Sequence, residues 1–525
     1  MRKDFAANGI LVVVAALLTL AAPLASAQAQ QQGQPAAKTP YTLAEYNAFQ
    51  ACASQTDAQA RIQSCDDFAS KFPNSVLLPL VYQTDYQAYN QLKNYPKTVE
   101  AVDKFLAVPD DKLTVIPGVT KEKLVGDRLQ AEYIRAVAFN QSFNEKDPNA
   151  QDELTKSRQA ALDGLKVLGE LPKPANMTDD QFAQQKKAPE ILFNYTAGSA
   201  SFQLKNYKDA IASFNAVLAD KSDDAATYFR LGVAYLQLAA QQAAQAPAAT
   251  PAQPSGTPPV GTTTPSSTPG ATTSTSATTP DPAAQQLNNY MNGFWALARS
   301  IALKGPGEAQ MRTYLHAQMF NYEQPACGTL LDQQMSELIQ LAGTATTRPA
   351  TYSIPSAADL TKISSTSNIY SILTNLQTGG DKASMTWLAV CGVEIPDVVG
   401  KIIDVQPATD HIDFMIFTAP TGEQIQAGTT ANLDARVWTS QPSGADAGAQ
   451  SPGSPASGSS QTTAPPVQPE AARLKKGDAI KFTGALVSYD AQPFLVHFDK
   501  CKVDPSVIPP EKGRAKRRPR RPGRR

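Results

Sequence analysis

From residue 42 to residue 342, outside a stretch at 246–280, apolar residues recur at spacings of three and four, and strand-like alternation is scarce. That period places apolar side chains on one face of a helix, so it predicts amphipathic helices. One pentapeptide punctuates the pattern twice. QLKNY occupies residues 91–95, followed by PKTVEAVDKFL, and residues 203–207, followed by KDAIASFNAVL. Around the second copy, Ala197, Gly198, Phe202 and Leu204 lie on a first helix, and Asn206 and Tyr207 mark a bend. Ala210, Ile211, Phe214, Val217 and Leu218 then form one face of a second helix. Helical hairpins are expected near 42–71, 75–108, 121–169 and 179–220, with further helices near 307–322 and 328–342.

Beyond residue 395 the pattern changes. VVGKIIDV (398–405), HIDFMIFTA (411–419) and GDAIKFTGALVSYD (477–490) are rich in β-branched and aromatic residues. PFLVHFD (493–499) alternates Phe494, Val496 and Phe498 with Leu495, His497 and Asp499. These runs predict strands. Residues 357–390 are expected to supply one or two connecting helices. The fold class is therefore α+β and multidomain: an array of helical hairpins followed by a small β domain.

Two stretches, 246–280 and 441–472, consist largely of Pro, Thr, Ser, Ala, Gly and Gln and contain no aromatic residue. Neither can bury enough apolar surface to offset ordering entropy, so both are expected to be disordered. The second would be a loop between strands three and four. The first is expected to be an insertion inside a hairpin. A helix near 223–243 precedes it, and LNNYMNGFWALARSIAL follows. There, Asn289 and Tyr290 repeat the bend pair, and Gly293 and Leu297 stand at the offsets of Ala210 and Phe214. Lengthening a short turn to 35 residues costs about 2 kcal/mol of closure entropy. Burial of Phe294, Leu297 and Ile301 returns about 1.5–3 kcal/mol each.

A shift of 34 residues carries Gly198 onto Gly232, Ala200 onto Ala234 and Leu204 onto Leu238. Tyr228, Leu231, Gly232 and Tyr235 on a first helix, with Ala210 and Phe214 on a second, resemble the tetratricopeptide repeat, whose period is 34. The resemblance implies an α-solenoid over 42–343 whose first helices line a concave groove for proteins or extended peptides. It places Tyr195, Ser199, Phe202, Gln203, Phe229, Val233, Leu236 and Gln237 on that groove. The Lys and Asn of the family's carboxylate-clamping version are absent from these positions. The hairpin of the first QLKNY departs from the pattern, with Asp85 and Tyr86 where Leu-Gly is expected and Thr98 in place of the small Ala, and is expected to splay. Residues 395–505 are similar to an OB-type β-barrel, with Gly484 at a bend where a side chain would obstruct curvature.

Charge and cysteine usage add a compartment. Arg2 and Lys3, the apolar run 10–20 and Ala25-Ser26-Ala27 read as a cleaved export signal over 1–27, which implies a periplasmic or secreted chain; an uncleaved N-terminal membrane anchor is the less favoured alternative. Export implies an oxidising environment. Of five cysteines, Cys52 and Cys65 are expected to bridge adjacent helices, and Cys391 and Cys501 to bridge the C-terminal domain, leaving an odd thiol. The formal net charge is zero, but residues 512–525 carry nine Lys or Arg and no acid. The rest of the chain is thus mildly acidic.

Candidate chemistry is sparse. His316, His411 and His497 are the three histidines, and none has a second His or a Cys at metal-ligand spacing. His497, Asp499 and Cys501 alternate along one strand, which would aim three ligands one way; a solvent-facing strand edge gives the same pattern and is favoured. No nucleophile elbow, phosphate loop or dinucleotide fingerprint occurs. No catalytic residue, metal or cofactor is expected. The expectation is an exported non-enzymatic scaffold with protein or peptide partners, its basic tail (506–525) meeting an anionic envelope surface. The alternative is a polyanion or nucleic-acid binder using the barrel and tail; export and the lack of stacking aromatics in the tail argue against nucleic acid.

Overall fold

The computed structural model describes residues 39–245, 281–305, 307–325, 327, 329–420, 429–441 and 464–511. The expected export signal, the 246–280 stretch, most of the 441–472 stretch and the basic run 512–525 lie outside the described residues. Helices are α1 (Leu43–Ala53), α2 (Ala58–Lys71), α3 (Leu78–Gln91), α4 (Tyr95–Leu106), α5 (Asp110–Leu113), α6 (Lys121–Ser142), α7 (Ala150–Glu170) and α8 (Asp179–Gln203). They continue as α9 (Tyr207–Asp220), α10 (Ala225–Gln245), α11 (Pro282–Ala302), α12 (Glu308–Glu323), α13 (Thr329–Thr344), α14 (Ala357–Thr366), α15 (Ile369–Thr378) and α16 (Gly380–Val390). Strands are β1 (Glu394–Pro407), β2 (His411–Phe417), β3 (Leu433–Trp438), β4 (Ala479–Ala491) and β5 (Phe494–Val503).

Two compact units result. The first holds the described residues up to Leu315 together with Leu338–Tyr352; the second holds His316–Glu337 and the residues from Ser353 onward. In the first, consecutive helices pack as hairpins, and alternate helices α1, α3, α6 and α8 also touch in turn. The QLKNY copies share one geometry. After α3, Leu92 caps the helix, Lys93 takes φ 57°, and the Asn94 amide donates to Tyr89 O at 2.9 Å. After α8, Leu204 caps, Lys205 takes φ 63°, and the Asn206 amide donates to Ser201 O at 2.8 Å. This six-to-one bond through a left-handed residue is the Schellman ending, here with Lys where Gly is usual.

The third copy is not where the sequence pattern placed it. Asn289 and Tyr290 lie inside α11, which begins at Pro282 behind an Asp281 cap. The turn recurs at the far end of α11, where Leu303 caps, Lys304 takes φ 54° and the Gly305 amide bonds Ser300 O at 3.3 Å. The shared element is Leu-Lys, not Asn-Tyr, because the left-handed residue follows the cap. The hairpin itself does form. Ser300 Oγ donates to Ala225 O at 2.6 Å, and Asn289 Nδ2 to Gln242 Oε1 at 2.9 Å, so α10 and α11 run antiparallel. Between those contacts the helices touch at glycines. A Cβ on Gly232 would lie 2.8 Å from Leu297 Cγ and 3.0 Å from Gly293 O. One period earlier, a Cβ on Gly198 would lie 2.8 Å from Phe214 Cε1. In the first QLKNY hairpin the place of Leu-Gly is filled: Tyr86 is fully buried, its ring 6.1 Å from Phe105.

In the second unit, the strands close a barrel in the order β1-β2-β3-β5-β4, antiparallel except for the parallel β3–β5 pair. β3, the six residues LDARVW, was not among the runs expected to be strands. Helices α14, α15 and α16 number three rather than one or two, and they are not mere connectors. Leu360, Ile372, Leu376 and Leu388 share one core with Phe414, Phe482 and Phe498 of the barrel. Gly484 sits where the β4–β5 register shifts, and a Cβ there would lie 2.6 Å from Cys501 Sγ. Part of the expected loop 441–472 is anchored: Gln468 is buried, its amide Nε2 donating to Val503 O at 2.9 Å and its Oε1 accepting from Val503 N at 2.6 Å.

Cys52 and Cys65 form a disulfide joining α1 to α2. The second expected bridge is corrected. Cys391 pairs with Cys327, across 64 residues, and Cys501 is a buried free thiol. Cys391 stands at the end of α16, whereas Cys501 points into the barrel over Gly484, where burial pushes its thiol well up.

Candidate functional site

The best candidate is the face built by α6, α8, α10 and the start of α12 in the first unit. Side chains link these helices in sequence. Asn140 Nδ2 of α6 donates to Thr196 Oγ1 of α8 at 2.7 Å. The Arg230 guanidinium of α10 lies 5.1 Å from the centre of the Tyr195 ring of α8. Phe229 of α10 and Tyr314 of α12 hold their ring centres 6.1 Å apart.

Seven of the eight residues assigned to a groove keep some surface. Tyr195, Ser199, Phe202, Phe229 and Val233 are half-buried, and Gln203 and Gln237 are exposed. Leu236 is the exception, at 3% exposure; its side chain covers Gly293, so it belongs to the α10–α11 contact and not to the open face. Phe202 turns toward its own bend, its ring 5.7 Å from Tyr207. Tyr195 also meets Phe214 edge-on at 6.5 Å. Arg230 and Asn140 were not singled out by sequence. Arg230 stands 35 residues after Tyr195, one repeat period plus one, which is the signal that would have paired them.

Ser199 and Gln203 open into a cleft of about 70 Å³ with Phe139 and Phe143 at the end of α6 and Glu153 and Ser157 at the start of α7. Ser199 Oγ is enclosed without a hydrogen-bond partner among the described residues. A larger hollow, about 170 Å³, lies in the second unit beside Gln324, Thr361 and Ser364, with Leu360 and Leu388 in its wall. Among the described residues, no titratable side chain lines it.

The barrel presents a second polar surface, on the outward sides of β2, β3 and β5. Arg436 grips Asp413 through Nε at 2.9 Å and Nη2 at 3.1 Å. His497 stands between Asp434 Oδ2 at 3.0 Å and Asp490 Oδ2 at 3.1 Å. His411 lies 2.6 Å from Asp410, and Trp438 Nε1 donates to Asp499 Oδ1 at 2.9 Å. Partial burial pulls the His497 imidazole down, but the two carboxylates outweigh it and leave the group raised. Burial pushes the Asp434 carboxyl up, against the His497 bond. His497, Asp499 and Cys501, expected to share a solvent-facing strand edge, do not share a side. Lys500 takes φ 55°, which breaks the alternation, so His497 and Asp499 face outward and Cys501 inward. Among the described residues, no group of three or more His, Cys, Asp or Glu is placed to hold a metal ion.

Compared with protein-family models and with curated proteins, the chain matches none.

Proposed function

We propose that this chain is an exported, non-enzymatic scaffold whose helical unit holds protein or peptide partners on the face of α6, α8 and α10. The observation that carries this reading is the row of half-buried rings and exposed amides drawn from successive first helices: Tyr195, Phe229, Gln203 and Gln237. Such a row offers apolar anchors with amide groups that can bond an extended backbone. A tetratricopeptide-like register is supported by the glycine contacts of Gly198 and Gly232, 34 residues apart. Export is supported by the two disulfides, which persist in oxidising compartments. No described helix is long and apolar enough to cross a membrane.

The strand order of the barrel, with β3 beside β5 in parallel, supports reading it as OB-like. Its outward β2–β3–β5 side carries Asp413, Asp434 and Asp499, which disfavours a phosphate backbone there. The basic tail then fits an anionic envelope surface better than a nucleic acid. Selection of random 12-residue peptides displayed on phage, using the mature chain as bait, tests the main reading. The expected outcome is a family of sequences that no longer bind the Tyr195→Ala/Phe229→Ala double variant. Enrichment that ignores both substitutions, or none at all, would remove the assignment.

A further inference from the structure

The cleft at the junction of α6, α7 and α8 has a chemistry that selects one kind of ligand group. Its polar atoms are mainly acceptors. Glu153 presents a carboxylate with no hydrogen bond or salt bridge among the described residues, and its neighbour Lys156 is held by Asp152 at 2.7 Å. Ser157, 7% exposed, and Ser199, whose Oγ is enclosed, have hydroxyls with no hydrogen-bond partner among the described residues. Asn140 gives one of its two amide N–H groups to Thr196 and keeps Oδ1 to accept. Among the described residues, no Lys or Arg lines the cleft. Arg158 is beside it in sequence but is committed elsewhere, its Nε to Ser201 Oγ at 3.0 Å and its Nη2 to Asp209 at 2.7 Å.

The field has the same sign. The cleft collects the last turns of α6 and α8, where helix dipoles are negative. The start of α7 would oppose this, but its first turn carries Asp152 and Glu153. Phe143 adds ring surface, which attracts a cation at a face and covers the methylenes behind it; the Phe139 ring, nearly buried, already carries the Arg135 guanidinium 6.0 Å from its centre. About 70 Å³ is several times the volume needed for one water, so the tip of a side chain fits.

We infer that this cleft is a subsite for a basic side chain, the ammonium of a lysine or the guanidinium of an arginine in the bound peptide, with Glu153 as its counter-ion and Ser157, Ser199 and Asn140 as acceptors. The inference rests on the peptide-binding reading of the same face and names what that face selects. The Ser157 and Ser199 hydroxyls would then gain a partner that the described residues do not give them.

The test uses n-butylammonium as the probe and n-butanol as its neutral counterpart, titrated into the full mature chain and read by amide NMR. Saturable shifts at Ser157, Ser199 and Gln203 with butylammonium and not with butanol are expected, with affinity falling as salt rises. Glu153→Gln keeps the shape and removes the charge; it is expected to weaken butylammonium about tenfold to a hundredfold. Equal shifts with butanol, no shifts with either probe, or indifference to Glu153→Gln would each overturn the subsite. Amides of the first unit away from the cleft, at Val102 and Phe105 of α4, report whether the variant stays folded, and Ser157→Ala gives an independent variant. Adding a display-selected peptide separates the two claims. Shifts at Phe202 and Phe229 without any butylammonium effect would leave the peptide face standing and remove only the subsite. Butylammonium binding without peptide shifts at those rings would do the reverse.

Discussion

The α6–α8–α10 face and the β2–β3–β5 side of the barrel are both polar and half-exposed, and they differ in what their polar groups are doing. On the barrel, acids and bases are matched: Arg436 with Asp413, His497 with Asp434 and Asp490, Trp438 with Asp499. One oxygen, Asp434 Oδ1, is left over. On the helices, Glu153, Ser157 and Ser199 border a cleft without being consumed by internal bonds. A matched network offers little to a partner, because each internal bond must be broken before a new one forms. Unconsumed acceptors beside half-buried rings offer a partner much more. Polarity by itself therefore does not locate a site, whereas the state of its hydrogen bonds does.

The largest effect that can separate the two regions comes from the disulfide of the second unit. Removing the Cys327–Cys391 link with Cys327→Ser and Cys391→Ser should cost that unit about 2–5 kcal/mol, since it closes a 64-residue separation. Chemical denaturation of the oxidised and doubly substituted chains measures this. Peptide affinity at the helical face should not change; a parallel loss would mean that the regions do not act independently.

Next comes the close approach of α10 and α11. Gly232→Ala should lower the stability of the first unit by about 1–3 kcal/mol through overpacking against Leu297 and the Gly293 carbonyl. Calorimetry should show the first unit's transition moving and the second unit's staying. An unshifted transition would show that the helices separate at little cost.

The matched network predicts a smaller, pH-dependent effect. Asp434→Asn should cost the second unit about 1–2 kcal/mol by depriving His497 of a charged partner. The sign follows from the raised His497 value. The folded form holds the proton more tightly than the unfolded chain, so this contribution is complete below about pH 6.5 and is lost as pH rises through the folded value. A stability profile between pH 5 and 9 should show a shallower slope in the variant, in which Asp490 alone still faces His497. The smallest stability effect belongs to the open face. Gln237→Ala should change stability by less than about 0.5 kcal/mol while weakening peptide binding severalfold.

Much of the helical unit was legible because its rules are local. Gly198 and Gly232 repeat at 34 residues since each meets a large side chain of the following helix, and the doubled QLKNY marks a real bend. The bend was attributed to the wrong letters. Asn-Tyr looked diagnostic, but the left-handed residue is the Lys, a backbone property that no apolar pattern displays; hence Asn289-Tyr290 was misread and Leu303-Lys304 missed. Leu236 was assigned to the open face because helical phase cannot say which neighbour a residue meets. The barrel was harder. β3 is six residues long and carries Asp434 and Arg436, so its alternation of Leu433, Ala435 and Val437 is brief. Cys391 and Cys501 looked like partners because both lie late in the chain, while the partner of Cys391 came from residue 327, outside any element expected to touch it. The cleft of Glu153, Ser157 and Ser199 draws on three helices, and no spacing in one of them announces it.

The central claim is that partners dock on the helical face and not on the matched side of the barrel. Site-specific photocrosslinking in intact cells tests it most directly, with benzoylphenylalanine placed in turn at Gln237 on α10 and at Met415 on β2. The account predicts discrete adducts from position 237 that disappear when Tyr195→Ala and Phe229→Ala are added, and none from position 415. Adducts from 415 with none from 237 would contradict it.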